Sequence, residues 1–197
     1  MTSPATEKQA LRTAGRERMR ALSDERRESG SRAACQRLLN LPEVKAAKVA
    51  MVFSSLPDEP IILPLVQALK DNGVKLCLPR QLPHGPLEPA LIESWPTGLM
   101  EELFGGTRAL LHPPASWPAL KKSDVGLVVL PGLAFDALAH RIGRGGGFYD
   151  RFLASPDLNA FKVGLALDEQ IISSVPMEEH DEPLDAVVTD STVYARA

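Results

Sequence analysis

Leu11, Ala14, Met19 and Leu22 recur near helical spacing through an otherwise charged opening segment. They predict an amphipathic helix over about residues 6–21, docked by a thin apolar stripe. Ser23 is placed to cap a second helix, with Asp24 and Glu25 in its first turn. That helix buries Ala33, Ala34 and Leu38 and ends at Leu41-Pro42. The pattern then changes. Residues 48–54 (KVAMVFS) form a short, mostly apolar run that predicts a buried strand. A helical pattern covers 61–70, with Pro60 near its start, Pro64 in its first turn and Gly73 beyond its end. Residues 74–78 read as the next strand, so strand, helix and strand close as a βαβ unit.

Residues 80–120 hold much proline and glycine and little periodicity, and short strands are expected near 87–95 and 107–112. The strongest buried-strand signal is 125–130 (VGLVVL), which stops at Pro131-Gly132. A helix over about 148–154 and strands over 162–167 and 184–189 follow. No internal repeat is visible. Strands alternating with helices imply a three-layer α/β/α arrangement around a mostly parallel, Rossmann-like sheet. Ligands in such sheets sit beyond the carboxyl ends of the strands.

Size and composition narrow the class. The 197 residues, 44% hydrophobic and 24% charged, fit one globular domain spanning 1–197 and argue against intrinsic disorder. A net charge of −3 argues against a nucleic-acid mode driven by overall basicity. No apolar run reaches the roughly 18 residues of a spanning helix, so no membrane partner is expected. Acidic residues among the N-terminal arginines argue against a transit peptide, and no apolar core for secretion is present. Cys35 and Cys77 form no close pair, which excludes a disulfide framework and fits a reducing cytoplasm. His84, His112, His140 and His180 show no metal-ligand spacing, and none is assigned as a base.

The most informative stretch is LPGLAFDALAHRIGRGGGFYDR, residues 130–151. Gly143, Gly145, Gly146 and Gly147 allow a backbone nest for anionic oxygens, continued by the start of the following helix. Arg141, Arg144 and Arg151 add cations suited to phosphate. Asp150 beside such a nest makes sense where magnesium bridges carboxylate and phosphate. The segment has no Gly-Lys-Ser/Thr, and Phe148 breaks a GxGxxG spacing, so known phosphate loops do not match. A flexible surface turn with solvated arginines is the plain alternative.

The same stretch resembles the signature of the 5-formyltetrahydrofolate cyclo-ligase (5,10-methenyltetrahydrofolate synthetase) family. Pro131, Gly132, Phe135, Asp136, Arg141, Gly143, Gly145, Gly147, Phe148, Tyr149 and Asp150 carry the match. Lys8 with Arg12, the segment 54–59 ending in Glu59, and His180-Asp181 followed by 184–189 extend it over nearly the whole chain. Two departures stand out. Phe148 replaces the first tyrosine of a pair, and Ala137-Leu138-Ala139-His140 replaces a run that usually has a glycine near its end.

The resemblance implies a NagB/RpiA/CoA transferase-like fold, a monomer, and an ATP- and Mg2+-dependent reaction. 5-Formyltetrahydrofolate becomes 5,10-methenyltetrahydrofolate, with ADP and phosphate released. The formyl oxygen takes the γ-phosphoryl group, and N10 of the folate then closes the ring and expels phosphate. The protein's part is positioning and charge neutralisation. By the resemblance, ATP contacts fall to Lys8, Arg12, Arg141, Ile142, Gly143, Arg144, Gly145, Gly146, Gly147, Phe148 and Tyr149. Folate contacts fall to Ser54, Glu59 and the 144–148 segment. Arg144, Tyr149 and Asp150 are the catalytic candidates, and Asp150 and Asp181 the magnesium candidates. Read without the family, Lys8 and Arg12 are solvated cations on one helix face, Glu59 a helix-start carboxylate, and Met51 and Phe53 core residues. Trp95 and Trp117 suit a pterin stack, a core or a lid.

Three other readings compete. One is a non-catalytic relative that binds a nucleotide or another phosphorylated ligand. Another is a different enzyme on a similar sheet, such as a sugar-phosphate isomerase or CoA transferase, which leaves the Lys8/Arg12 pair unexplained. A nucleic-acid binder would want aromatics among the N-terminal arginines, and none is there.

Overall fold

The computed structural model describes residues 4–82, 85–95, 100–104 and 108–196. In chain order the elements are α1 (Pro4–Arg20), α2 (Asp24–Leu39), α3 (Pro42–Ala46), β1 (Val49–Met51), α4 (Leu63–Asp71), β2 (Lys75–Gln81), β3 (Leu87–Leu91), β4 (Met100–Phe104) and β5 (Arg108–His112). They continue with β6 (Leu127–Leu130), β7 (Ala134–Phe135), β8 (Arg141–Ile142), α5 (Phe148–Leu153), β9 (Phe161–Leu165), β10 (Ala186–Val188) and β11 (Val193–Ala195). Among the described residues the main sheet runs β11-β10-β9-β6-β1-β2-β3. Its five central strands, β10 to β2 in that order, are parallel, and β11 and β3 flank them antiparallel.

The central strands are apolar throughout because both faces are covered. Ala50, Leu127, Val129, Val163, Ala186 and Val188 face one core, which α2, α3 and α4 complete with Leu38, Val44, Leu65 and Leu69. The alternate residues Met51, Val128, Leu130 and Val187 face the opposite core, with Phe135 and with Phe152 and Leu153 of α5. This is the expected three-layer arrangement.

Local chemistry explains most boundaries. The Ser23 hydroxyl accepts the Arg26 N–H at 3.1 Å and caps α2, as expected. Pro42 does more than end α2: it sits in the first turn of α3, where its missing N–H costs nothing, so one proline closes a helix and opens the next. β1 keeps three residues of the predicted run; Val52 still donates its N–H to the Cys77 carbonyl at 2.9 Å, and both it and Phe53 lie beyond the strand but stay buried. Three features lie outside the sequence reading: β4, the short β7–β8 hairpin, and the exposed edge strand β11. Of the irregular middle, residues 83–84, 96–99 and 105–107 lie outside the described residues, and His84 with them. Trp117 is buried and Trp95 packs on the first core; neither lines the site described below.

Candidate active site

A cavity of about 380 Å³ opens past the carboxyl ends of β1, β2 and β6. Strand order reverses there, since β1 has β2 on one side and β6 on the other; open α/β sheets bind ligands at such a point. Lys8, Arg12, Ser54, Glu59, the unbroken run 141–150 and Asp181 all line it. Elements far apart in sequence therefore bring every candidate site residue to one place. Met51, by contrast, is wholly core.

The loop 143–147 forms one wall. Gly145 has φ +103°, and a Cβ there would lie 3.3 Å from the Arg12 guanidinium carbon. Gly147 has φ +64° and leads into α5. Among the described residues, no backbone N–H of 143–147 donates to a protein acceptor. That row of free donors, with positive-φ glycines between them, is what an anion nest requires. The Nε of Arg12 donates to the Gly143 carbonyl at 3.1 Å, so α1 is tied directly to the loop.

Arg141 lies under the loop with 4% of its side chain exposed. Its Nη2 donates to Asp150 Oδ1 at 3.0 Å, and its guanidinium stacks 5.6 Å from the Tyr149 ring centre. Its Nε is buried without a partner. A buried charged donor left unsatisfied is costly, and at the wall of this cavity it is a donor open to water or a ligand. Ile142 is buried in β8, where its carbonyl accepts the Leu133 N–H and its neighbour Arg141 is held in register. The post-β6 turn is itself pinned by buried Gln170, whose Nε2 donates to the Gly132 carbonyl at 2.7 Å.

Two of the cations expected around the nest stay beside the loop but are engaged by protein partners: a Cβ on Gly147 would lie 2.8 Å from Arg151 Nη1, and Arg144 lines the cavity. Arg144 turns to the segment after β1, pairing with Asp58 and Glu59. Arg151 stacks 5.0 Å from the Phe148 ring centre. Arg12, expected there as well, lies over Gly145.

Lys8 is 5% exposed and ion-paired to both Glu178 and Asp181. Burial alone would lower the Lys8 ammonium, but the two carboxylates outweigh it and raise it. Burial would raise Asp181, yet Lys8 and the Glu178 N–H hold it below the usual range. Glu59 is pushed up by near-complete burial, against the opposing pull of Arg144 and the Leu56 N–H. Burial, then the charge of Glu59, raises the Tyr149 phenol, so it stays protonated.

Asp58, Glu178 and Asp136 were not assigned roles from sequence. An acid doubled before Glu59, and another three residues before Asp181, were the available signals. Asp136 anchors the turn before Arg141. Within that turn Ala139 adopts φ +61°, the left-handed conformation that glycine takes without strain. The departure noted at 137–140 thus falls where the backbone favours glycine.

For a metal, Asp150 and Asp181 are each engaged by a cation, Arg141 and Lys8. Among the described residues no three His, Cys, Asp or Glu side chains converge as a metal site. The donor set suits an ion that takes one or two carboxylates and draws its remaining ligands from phosphate and water, which is magnesium's habit.

The family model described as the 5-formyltetrahydrofolate cyclo-ligase family matches residues 4–190. The chain belongs to that family. It is 34% identical over 182 residues to the 5-formyltetrahydrofolate cyclo-ligase of Escherichia coli K12, covering 91% of this chain and 98% of the relative. Against the mouse 5-formyltetrahydrofolate cyclo-ligase it is 27% identical over 201 residues, covering 94% of each. The solved structure of Aquifex aeolicus 5,10-methenyltetrahydrofolate synthetase superposes with a TM-score of 0.78 at 29% identity, covering 95% of this chain and 92% of that one. The cyclo-ligase family places this protein among the ligases of folate one-carbon metabolism. Among the described residues no helix is long and apolar enough to cross a membrane.

Proposed function

We propose that this cyclo-ligase converts 5-formyltetrahydrofolate to 5,10-methenyltetrahydrofolate, consuming ATP with Mg2+ and releasing ADP and phosphate. The observation that carries the reading is the cavity's two-sided chemistry. One wall is the glycine loop with free N–H donors and the orphaned Nε of Arg141. The other is apolar, with Phe53, Leu78 and Leu87, and carries the buried carboxylate of Glu59. The first suits a triphosphate and the second a flat heterocycle with N–H groups to donate.

In this reading Lys8, Arg12, Arg141 and the 143–147 backbone hold the triphosphate, and Arg144 and Phe148 border both substrates. Ser54 and Glu59 orient the pterin end. Tyr149, protonated and stacked under Arg141, keeps that guanidinium in the plane of the loop. Arg141 and Arg144 stabilise charge as the phosphoryl group passes to the formyl oxygen. Asp150, and Asp181 from the Lys8 side, would hold magnesium, which supplies charge neutralisation on the phosphates when bound. No protein nucleophile is needed, and both cysteines are buried, with thiols raised by burial to about 11 for Cys35 and about 12 for Cys77.

The test mixes purified protein with 5-formyltetrahydrofolate and Mg-ATP and follows the near-ultraviolet absorbance of the methenyl product. Growth that requires both ATP and magnesium is expected. No growth from folded protein, beside an active reference enzyme, would reject the reading.

A further inference from the structure

Arg144 belongs to the glycine loop, but its guanidinium crosses to the segment after β1. Its Nη2 donates to Asp58 Oδ1 at 2.6 Å, and Nη1 lies 3.4 Å from Oδ2. Its Nε and Nη2 also donate to Glu59 Oε1, at 3.0 and 2.8 Å. The two acids differ in where they face. Glu59 and Arg144 line the cavity; Asp58 does not, and its side chain is fully buried. Asp58 lies outside the cavity, and the Arg144 guanidinium it grips connects it to the groups inside.

We propose that Asp58 is a positioning residue for the reaction proposed above, gripping the Arg144 guanidinium from behind and so setting where its charge meets the substrates. A planar guanidinium with both edges engaged has few orientations left. With Asp58 changed to asparagine, the charge and one of the two acceptor oxygens behind Arg144 are gone, so the balance of its grip shifts to Glu59, inside the substrate space, and its orientation loosens. The proposal rests on the assignment of Arg144 to the reacting end of the cavity.

Steady-state kinetics of Asp58→Asn, Arg144→Ala and the double variant test it, with 5-formyltetrahydrofolate and Mg-ATP varied in turn. Asp58→Asn is expected to lower kcat by about 10²-fold, the penalty of a roughly 1 Å misplacement, while both KM values hold. In the Arg144→Ala background the same change should cost nothing more, because residues acting as a unit are non-additive. An equal loss in both backgrounds, or KM values that rise as kcat falls, would make Asp58 a structural residue and overturn the proposal. Full activity in Arg144→Ala would overturn the Arg144 assignment and this proposal together. If circular dichroism shows Asp58→Asn unfolded, Arg144→Lys decides. Lysine keeps the charge and cannot fork between both acids. A loss as deep as that of Arg144→Ala supports the grip, and near-normal turnover rejects it.

Discussion

The Nε of Arg12 and the carbonyl of Gly143 meet at 3.1 Å across 131 residues of sequence. A trans peptide points its carbonyl and the next N–H in opposite directions. Drawing the Gly143 carbonyl to Arg12 therefore turns the Arg144 N–H away from α1 and takes a negative dipole end out of the nest. Arg12→Ala should raise the KM for ATP by roughly 10-fold or more, as for a lost hydrogen bond from a charged group of about 1.5–3 kcal/mol. The KM for the folate should hardly move. Titration of each substrate in turn checks this, and an equal rise in both would remove Arg12 from the triphosphate cradle.

Asp150 is a carboxylate proposed to hold magnesium, and one of its oxygens already serves Arg141. Asparagine at this position keeps an oxygen for Arg141 and discards the negative charge. Asp150→Asn should raise the magnesium needed for half-maximal turnover at least about tenfold, the loss that even outer partners of a metal site produce. Its far-ultraviolet spectrum should match the wild type. An unchanged magnesium requirement would take the metal away from Asp150.

How far these contacts were readable from sequence depends on their range. β6 and β10 were legible because strands buried on both faces leave an unbroken apolar run, and the α2 cap because Ser23 acts on a donor three residues away. The glycine loop announced itself by composition. The β7–β8 hairpin did not, since two residues per strand cannot display a period. Side-chain destinations were the least legible. Arg144 sits among glycines and reads as a phosphate ligand, but acids 85 and 86 residues earlier claim it. Lys8 likewise finds Glu178 and Asp181 at the far end of the chain. Nothing local to either cation encodes those partners: for Arg144 the sheet's topology does, by bringing the ends of β1 and β6 together, and for Lys8 the packing of α1 on the segment that follows β9 does.

Gly145 combines φ +103° with the Arg12 guanidinium carbon 3.3 Å from where a Cβ would stand. Gly145→Ala should cost about 1–3 kcal/mol of backbone strain. At about 2–4 °C per kcal/mol for a chain of this size, the thermal midpoint should fall by several degrees. Turnover should fall with it, because the loop relaxes by moving its N–H groups. Gly126 is the control: a Cβ there would meet only a carbonyl oxygen at 3.9 Å. Gly126→Ala should leave the midpoint unchanged or slightly raised. Equal midpoints for the two variants would mean that the loop's positive φ carries no strain.

Asp136 organises the turn that delivers Arg141. Its side chain is almost fully buried and accepts the N–H groups of Leu138 at 3.0 Å, His140 at 3.0 Å and Val175 at 2.9 Å, with His140 Nδ1 at 3.0 Å from Oδ2. Burial would raise this carboxyl, but the Val175 and His140 N–H groups and the His140 ring outweigh it and hold it below its ordinary 3.8. A carboxylate with a depressed folded-state value stabilises the fold fully above its unfolded-state value. That contribution disappears as pH falls through the folded-state value. Asp136→Asn removes the charge and with it this pH dependence. At pH 7 the variant should be less stable in urea by about 1–3 kcal/mol, the cost of buried donors left poorly matched. The gap to wild type should begin to narrow as pH drops below about 4, where the unfolded-state carboxyl protonates, and close as pH falls through the lower folded-state value. Asp181, depressed in the same direction, titrates in both proteins and cancels in the difference. A gap that stays constant from neutral to acid pH would mean that the Asp136 charge does not support the turn, and that neutral hydrogen bonds alone hold Ala139 at positive φ.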